Sequence, residues 1–442
     1  MNQRYQQSGP ISSRLRASLF SGSVALFGGL MVSNIIAYLY QMLMARMLSP
    51  AEYGVLVTLT SVSYVLLVVM RTFQAWVIKA VASDAEAGHA RGVFLAALAS
   101  FAPIGLVLLL LHWLAGSWVA DFLHLGTTTP VIALGLYTFS SFLVPAPRGV
   151  LLGLRRMHAG SLVHILEPLI RLLAGVLLVW WGFGASGGIG GFAVGNLLTF
   201  VAATVLIWPL LRQRTPAPAI RFGGLDRYAV FMLSVNTCLM IIGSVDQVAV
   251  KHFFSDHVAG NYAVAFLLGR IISMTTLALG WVIFTRTATL PPDDPGHARV
   301  LLKGMALMGT IAVALACGYL AMPALAVRLM GGAQYTSATS YVGLVGVEMT
   351  LFAFVYIQAY FQLSIKRMQA LWPLLIATVL EIALLARYHA SVQQILFGLI
   401  GVMAALLVCV SVISWAILRQ LRQPAANRSG VIEAVGVESR AI

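Results

Sequence analysis

Charged side chains inside long apolar segments are the residues of this sequence best placed to do chemistry. They are Arg71, Glu167, Arg171, Asp246, Arg270, Glu348 and Glu381. A charge at the centre of a lipid bilayer costs about 3 kcal/mol or more unless it faces protein or water. We therefore expect some of these side chains to line a polar cavity that binds a charged ligand.

Each of these residues also has a purely structural interpretation. Glu167 and Arg171 are four residues apart, so they share a helix face and can form an ion pair. Arg71 lies near one end of its segment, where its side chain can snorkel, and Glu381 is expected at the outer rim of the membrane. Arg270 has no acidic residue within one helical turn, which makes a ligand-binding role the favoured interpretation. The candidates for substrate binding in a central cavity are Arg270, Arg171, Glu167, Glu348 and Arg71.

Asp246 is the candidate for ion coupling. It lies in the predicted outer half of its segment, where it could bind a coupling proton or sodium ion or hold Arg270 by a charge pair. No other cofactor and no metal site is expected, because the three cysteines are far apart and the histidines are scattered. No nucleophile with a neighbouring base can be named, so the sequence predicts a protein that is not an enzyme.

The composition indicates what kind of elements carry these residues. The chain has 442 residues, of which 60% are hydrophobic and only 10% are charged. Soluble domains carry about 25% charged residues, so the composition indicates a polytopic membrane protein with all-α architecture. Twelve membrane-spanning helices are predicted, at residues 18–45, 51–73, 92–115, 129–149, 161–182, 186–211, 228–250, 259–285, 304–327, 338–363, 368–387 and 393–418.

The basic residues predict the orientation of these spans. They concentrate in the N-terminal arm, in every second loop and in the C-terminal tail, which places both termini in the cytoplasm. Arg148, Arg155 and Arg156 are assigned to the loop between the fourth and fifth spans. The excess of positive charge is thereby explained without nucleic acid, which is not expected as a partner.

A recurring turn divides the chain into two halves. Two apolar segments are joined by Ser49-Pro50-Ala51-Glu52-Tyr53-Gly54, and two others are joined by Ser255 to Tyr262. The distance along the chain from Tyr53 to Tyr262 is 209 residues. Trp76-Val77-Ile78 likewise recurs as Trp281-Val282-Ile283. The predicted domains are a cytoplasmic arm at 1–17, a six-helix bundle at 18–211, a cytoplasmic linker at 212–227, a second bundle at 228–418 and a disordered cytoplasmic tail at 419–442.

Glycine motifs are interpreted as structural. Gly182-Phe-Gly184-Ala-Ser-Gly187 has the G-x-G-x-x-G spacing of a dinucleotide site but follows an apolar helix rather than a strand, which favours a flexible outer turn. Gly149-x-x-x-Gly153 and Gly191-x-x-x-Gly195 predict close packing between helices.

The turn sequences carry a family resemblance. The run from Ala45 to Gly54 resembles the first-to-second helix junction of bacterial polysaccharide flippases, and so does Ser244-Val-Asp246-Gln247 followed by Gly260-Asn-Tyr262-Ala263-Val-Ala265 at the seventh-to-eighth junction. These proteins belong to the multidrug/oligosaccharidyl-lipid/polysaccharide (MOP) exporter superfamily, which includes the MATE exporters. The resemblance implies two pseudo-symmetric six-helix bundles around a central cavity that opens alternately to each side.

The resemblance also implies a function. It implies a flippase of the bacterial inner membrane that moves undecaprenyl-pyrophosphate-linked oligosaccharide outward for O-antigen, capsule or exopolysaccharide synthesis. Partners would be the lipid-linked oligosaccharide, membrane lipids and other polysaccharide-assembly proteins. Buried arginines suit a pyrophosphate group, which guanidinium binds bidentately. Two alternatives stay open: a cation-coupled multidrug exporter of the same fold, which Asp246, Glu167 and Glu348 favour, and a membrane glycan polymerase or ligase.

Overall fold

The computed structural model describes residues 13–83, 87–212, 227–288, 290–291, 294 and 296–421. In that part of the chain every regular element is a helix and no strand occurs. Most of the predicted arm, linker and tail lies outside the described residues. The chain divides into two compact units, and the first also takes in Phe254–Gly260 from the middle of the chain.

Eight α-helices lie wholly within the described residues of the first unit. They are α1 (Ser13–Met47), α2 (Pro50–Ser83), α3 (Ala87–Leu114), α4 (Gly116–Phe122), α5 (Thr129–Leu143), α6 (Pro145–Gly153), α7 (Met157–Leu178) and α8 (Gly184–Leu211). A π-helical segment, Val179–Phe183, leads from α7 into the turn before α8. Gly182 and Gly184 have φ of 90° and 51°, which a side chain would disfavour, so the predicted outer turn is where the chain reverses.

The described part of the second unit contains eight α-helices, of which α11 begins within the first unit. They are α9 (Arg227–Ile242), α10 (Val245–Phe253), α11 (Asp256–Ala288), α12 (Gly296–Ala321), α13 (Pro323–Met330), α14 (Thr339–Ser364), α15 (Leu371–Arg387) and α16 (Val392–Leu421). A 3₁₀ segment, Ala333–Ala338, precedes α14.

The predicted membrane spans correspond to these helices. Nine runs of the described residues are long and apolar enough to cross a membrane, or ten with α2, which bends by 41° between Leu66 and Val68. One of these runs, Met157–Leu211, contains both α7 and α8, which pack against each other on either side of the turn at Gly182. The 17-residue α15 is also apolar and within the length range of a spanning helix. Counting α7, α8 and α15 separately gives the twelve predicted crossings.

Two spans end at residues other than those predicted, and in both cases a short helix begins at a proline nearby. Pro323 begins α13, so the ninth span ends at Ala321 and not at residue 327. Pro145 begins α6, which continues the fourth span to Gly153 instead of ending it at 149. Proline suits the first turn of a helix because its missing N–H has no partner to lose there.

The two recurring turns meet within the first unit. The first is a capping box, in which the Ser49 backbone N–H donates to Glu52 Oε2 (3.2 Å) and the Glu52 N–H donates to Ser49 Oγ (3.3 Å). A Cβ on Gly54 would lie 3.0 Å from the Gly260 nitrogen, and one on Gly260 would lie 1.9 Å from the Pro50 oxygen. The two glycines therefore let the backbones of α2 and the start of α11 touch.

Side-chain packing in the first unit follows the small residues. Cβ atoms on Gly149 and Gly153 would lie 2.6 Å and 2.7 Å from the Cβ atoms of Val77 and Val81, so α6 lies directly on α2. Phe73 and Phe101 stack beside this contact with ring centroids 4.2 Å apart. The predicted close packing of Gly149-x-x-x-Gly153 is confirmed.

Candidate functional site

An arginine cluster, Arg148, Glu167 and Arg171, lies in the first unit. Arg148 Nη2 donates a short hydrogen bond to Glu167 Oε2, and the two side chains form an ion pair. Arg148 is buried in α6 and not in a loop as predicted, because α6 extends the fourth span past it. Glu167 therefore pairs with Arg148 across two helices, and the pairing with Arg171 expected from the sequence is not the closest one.

Arg171 lies on α7 beside aromatic rings rather than on a carboxylate. Its guanidinium carbon is 4.6 Å from the ring centroid of Phe192 and 5.3 Å from that of Tyr40. These two rings meet edge to face, and the Tyr40 hydroxyl donates to the Gly188 carbonyl oxygen at 2.6 Å, which fixes the aromatic wall. Arg171 as a whole is half-buried, and its Nε is buried without a hydrogen-bond partner among the described residues.

Glycines set the position of Arg171. A Cβ on Gly191 would lie 2.6 Å from Gly175 Cα, and one on Gly195 would lie 3.0 Å from Arg171 Cβ. Helix α8 therefore approaches α7 more closely than side chains would allow, and it brings Phe192 onto the guanidinium. The predicted packing role of Gly191-x-x-x-Gly195 is confirmed.

Arg270 lies in the second unit beside a break in the seventh span. Helix α9 ends at Ile242 and α10 begins at Val245, which leaves the Gly243 carbonyl oxygen outside the regular helical ladder. Arg270 Nη1 donates to that oxygen at 3.5 Å, and Arg270 is 6% exposed. A small pocket of the second unit opens here, lined by Leu239, Met240, Gly243, Ser244, Arg270, Ser273 and Phe352. Irregular backbone inside a membrane is tolerated where it lines such a cavity.

A carboxylate cluster, Asp246, Glu348 and Glu381, lies near Arg270 in the same unit. All three side chains are buried, and they are close enough to repel one another electrostatically, while Arg270 attracts Asp246. The Tyr262 hydroxyl donates a short hydrogen bond to Asp246 Oδ2. Among the described residues, Asp246 Oδ1, Glu348 Oε2 and both Glu381 carboxylate oxygens have no hydrogen-bond partner.

Glu381, which was expected at the outer rim of the membrane, has a fully buried side chain that lies close to Glu348 and Asp246. Arg71, by contrast, is exposed, as a snorkelling side chain would be.

Three side chains in or beside the two clusters had no assigned site role in the sequence: Arg148, Tyr262 and Glu381. For Tyr262 a signal was available, because residues equally far from a tight turn face each other in an antiparallel helix pair. Asp246 and Tyr262 lie eight residues on either side of Phe254, at the turn between α10 and α11. Arg148 and Glu167 lie at unequal distances from the turn at Arg155 and Arg156, so their pairing had no such signal.

The sequence matches a family model described as "Polysaccharide biosynthesis protein" over residues 43–340, more than half of the chain. The chain belongs to this polysaccharide biosynthesis family. The resemblance of its turn sequences to that family is confirmed, and the matched region includes the arginine cluster and Asp246, whereas Glu348 and Glu381 lie beyond its end. No curated protein sequence matches the chain.

Solved structures with the same fold are MOP-superfamily transporters. An inward-facing multidrug resistance MATE family transporter of the MOP superfamily has a TM-score of 0.68 at 12% identity, with 90% of this chain and 99% of that chain covered. The lipid II flippase MurJ in an inward closed conformation has a TM-score of 0.63 at 11% identity, with 91% and 88% covered. The eukaryotic MATE transporter AtDTX14 has a TM-score of 0.62 at 12% identity, with 92% and 99% covered.

These likenesses establish the fold of this family member. The chain is an all-α, multi-pass membrane protein with the MATE-like fold, as predicted. In the described ranges no three His, Cys, Asp or Glu side chains are arranged to hold a metal ion.

Proposed function

We propose that this protein is a flippase that moves undecaprenyl-pyrophosphate-linked oligosaccharide across the bacterial inner membrane by alternating access. The polysaccharide biosynthesis family supports a role in glycan export, and the MATE-like fold supports transport. The product would serve O-antigen, capsule or exopolysaccharide synthesis, together with other polysaccharide-assembly proteins.

The arginine cluster is the observation that supports a substrate with a pyrophosphate group. It contains two guanidinium groups and one carboxylate, and that carboxylate is already paired with Arg148. One positive charge is therefore left on Arg171, a half-buried residue whose guanidinium lies against Phe192 and Tyr40. A pyrophosphate is the kind of anion that guanidinium binds with two parallel hydrogen bonds.

The carboxylate cluster is the proposed site of ion coupling. Buried carboxylate oxygens without hydrogen-bond partners are costly, so a bound proton or sodium ion at Asp246, Glu348 or Glu381 would stabilise them. Binding of the ion would also alter the attraction of Asp246 for Arg270, which lines the pocket. Both ions remain part of the proposal, and both are supplied by gradients across an inner membrane.

The same cluster supports a second candidate, a cation-coupled multidrug exporter. Cationic drugs prefer an acidic cavity, and three buried carboxyl groups in one unit provide such chemistry. The two candidates differ in which unit binds the substrate: the arginine cluster for an anionic lipid, or the carboxylate cluster for a cationic drug.

Reconstitution into proteoliposomes tests the proposal. We expect transfer of an undecaprenyl-pyrophosphate-linked oligosaccharide from the outer to the inner leaflet, measured by its protection from an added glycosidase. Arg171→Ala should lose this transfer. A protein that moves ethidium along a cation gradient but leaves the lipid-linked glycan accessible would be an exporter instead.

A further inference from the structure

Two short helices, α4 and α13, follow the third and ninth spans without being part of them. The apolar runs that can cross the membrane end at Leu114 and Ala321, and one residue separates each of them from the start of α4 or α13. Ala115 (ψ 1°) and Met322 (φ −133°, ψ 55°) interrupt the helical backbone at these two points. Each short helix is therefore a separate element that follows the end of a span.

Each helix has three distinct sides. On α4, Gly116 and Ala120 pack against the protein, whereas Trp118 and Phe122 are exposed and stack with ring centroids 5.8 Å apart. At 100° per residue, the exposed Ser117 and Asp121 form a third, polar strip beside the aromatic one.

Helix α13 repeats this arrangement position by position. Val327 and Met330 are buried, whereas Leu325 and Leu329 are 51% and 60% exposed. Trp118 to Leu325, Phe122 to Leu329 and Ala120 to Val327 are each separated by 207 residues, between the spacings of the other repeated motifs. Arg328 takes the place of Asp121 on the polar strip.

The exposed apolar sides continue the membrane-facing surfaces of the spans. Trp113 and Leu114 are exposed on the last turn of α3, and Leu320 is exposed on the last turn of α12. An apolar strip that continues a lipid-facing surface, flanked by a charged strip, is the pattern of a helix lying in the membrane interface.

We propose that α4 and α13 are a matched pair of interfacial helices that bind the outer-leaflet phospholipids, one in each repeat. Trp118, Phe122, Leu325 and Leu329 lie at the acyl-chain boundary, and Asp121 and Arg328 lie in the headgroup layer. Because their charges are opposite, α13 binds lipid phosphate groups through Arg328, and α4 meets the ammonium of phosphatidylethanolamine through Asp121. The assignment of α4 and α13 to the outer leaflet depends on the topology predicted from the basic residues. Their interfacial position does not depend on that topology.

Spin labelling of the full-length protein tests the interfacial position. Cys238, Cys317 and Cys409 are replaced, and single cysteines are introduced at Ser117, Trp118, Ala324 and Leu325. In phosphatidylethanolamine–phosphatidylglycerol vesicles, labels at 118 and 325 should favour oxygen over a water-soluble nickel complex, at depths of about 5–10 Å below the headgroups. Labels at 117 and 324 should show the reverse preference and favour the nickel complex over oxygen by several-fold. Equal nickel accessibility at all four positions would show that these helices lie in water and overturn the proposal.

Two further measurements test the side and the lipid. A membrane-impermeant maleimide added to whole cells should modify Ser117→Cys and Ala324→Cys, and modification only after the inner leaflet is exposed would overturn the outer placement. Removing phosphatidylglycerol should make the label at 325 shallower in the wild-type background but not in Arg328→Glu. The label at 118 is the matched control, and an identical response at 118 and 325 would contradict the different lipid preferences.

Discussion

Two arginines inside membrane-spanning helices have different surroundings. Arg171 is half-buried against two aromatic rings, and its helix neighbour Glu167 is paired with Arg148. Arg270 is buried, donates to the Gly243 carbonyl oxygen and attracts Asp246. Ligand contact therefore suits Arg171 better, although the sequence alone favoured Arg270.

Replacement of each arginine by lysine should separate the two roles. Arg171→Lys should reduce surface glycan export by about 10- to 100-fold, because an ammonium keeps the charge but loses the planar, bidentate donor. Arg270→Lys should retain most export, since an ammonium can still attract Asp246. Export is measured in cells that lack their own flippase and is normalised to the amount of protein in the membrane.

Alanine variants provide the controls for this pair. Arg270→Ala should lower the membrane abundance of the protein, because Asp246 then loses its cation, whereas Arg171→Ala should keep abundance and lose export. If Arg270→Lys abolishes export at normal abundance and Arg171→Lys does not, the headgroup contact belongs to Arg270.

Neutralising the buried carboxyl groups should abolish transport that depends on an ion gradient. Asp246→Asn and Glu381→Gln keep the shape of each side chain but remove the charge that a coupling ion neutralises. Both variants should abolish transport driven by a proton or sodium gradient in proteoliposomes. Asp256→Asn, at an exposed carboxylate, is the control and should transport normally. Gradient-driven transport by Asp246→Asn at wild-type rate would remove this residue from the mechanism.

At the scale of elements, the α7–α8 contact holds the arginine cluster in shape. Gly191 is the point where the two backbones meet, and Phe192, the next residue, provides the ring beside Arg171. A displacement of α8 would therefore move the aromatic wall and change the access to the guanidinium.

An alanine at position 191 should disturb this contact. Its Cβ would lie 2.6 Å from Gly175 Cα, which backbone movement alone can relieve, at a cost of about 1–3 kcal/mol. We expect Gly191→Ala to lower the Tm in detergent and to reduce export. Gly190→Ala is the matched control, because its Cβ would meet only the end of the Leu178 side chain at 3.3 Å. Equal Tm values for the two variants would show that α8 can shift without loss.

At the scale of the whole molecule, the arrangement of basic residues predicts the topology. The stretches between successive crossings alternate in basic content, and both termini fall on the richer side. The two halves then enter the membrane in the same orientation, as their repeated turns require.

Reporter fusions test this topology. Fusions after Gly88, Ala219 and Ala425 should report cytoplasm, and fusions near Gly126 and Gly187 should report periplasm, because the intervening crossings alternate. Activity of a periplasmic reporter at position 219 would contradict a cytoplasmic connection between the two halves.

The sequence by itself determined the class of protein, the number of crossings and the family. Hydropathy and charge are properties of each segment of the chain, so they determine which segments cross the bilayer, and in which orientation, without any need for tertiary contacts. The turn motifs were also readable, because capping boxes and close glycine contacts depend on a few neighbouring residues.

Only the tertiary structure decided which charges meet. Glu167 has Arg171 four residues away in sequence, yet it pairs with Arg148 on the preceding helix. Glu381 lies near Asp246 although 135 residues of chain separate them. Helical spacing predicts contacts within one helix, but the partners across helices depend on crossing points and on where each helix breaks, as at Gly243 and Pro145.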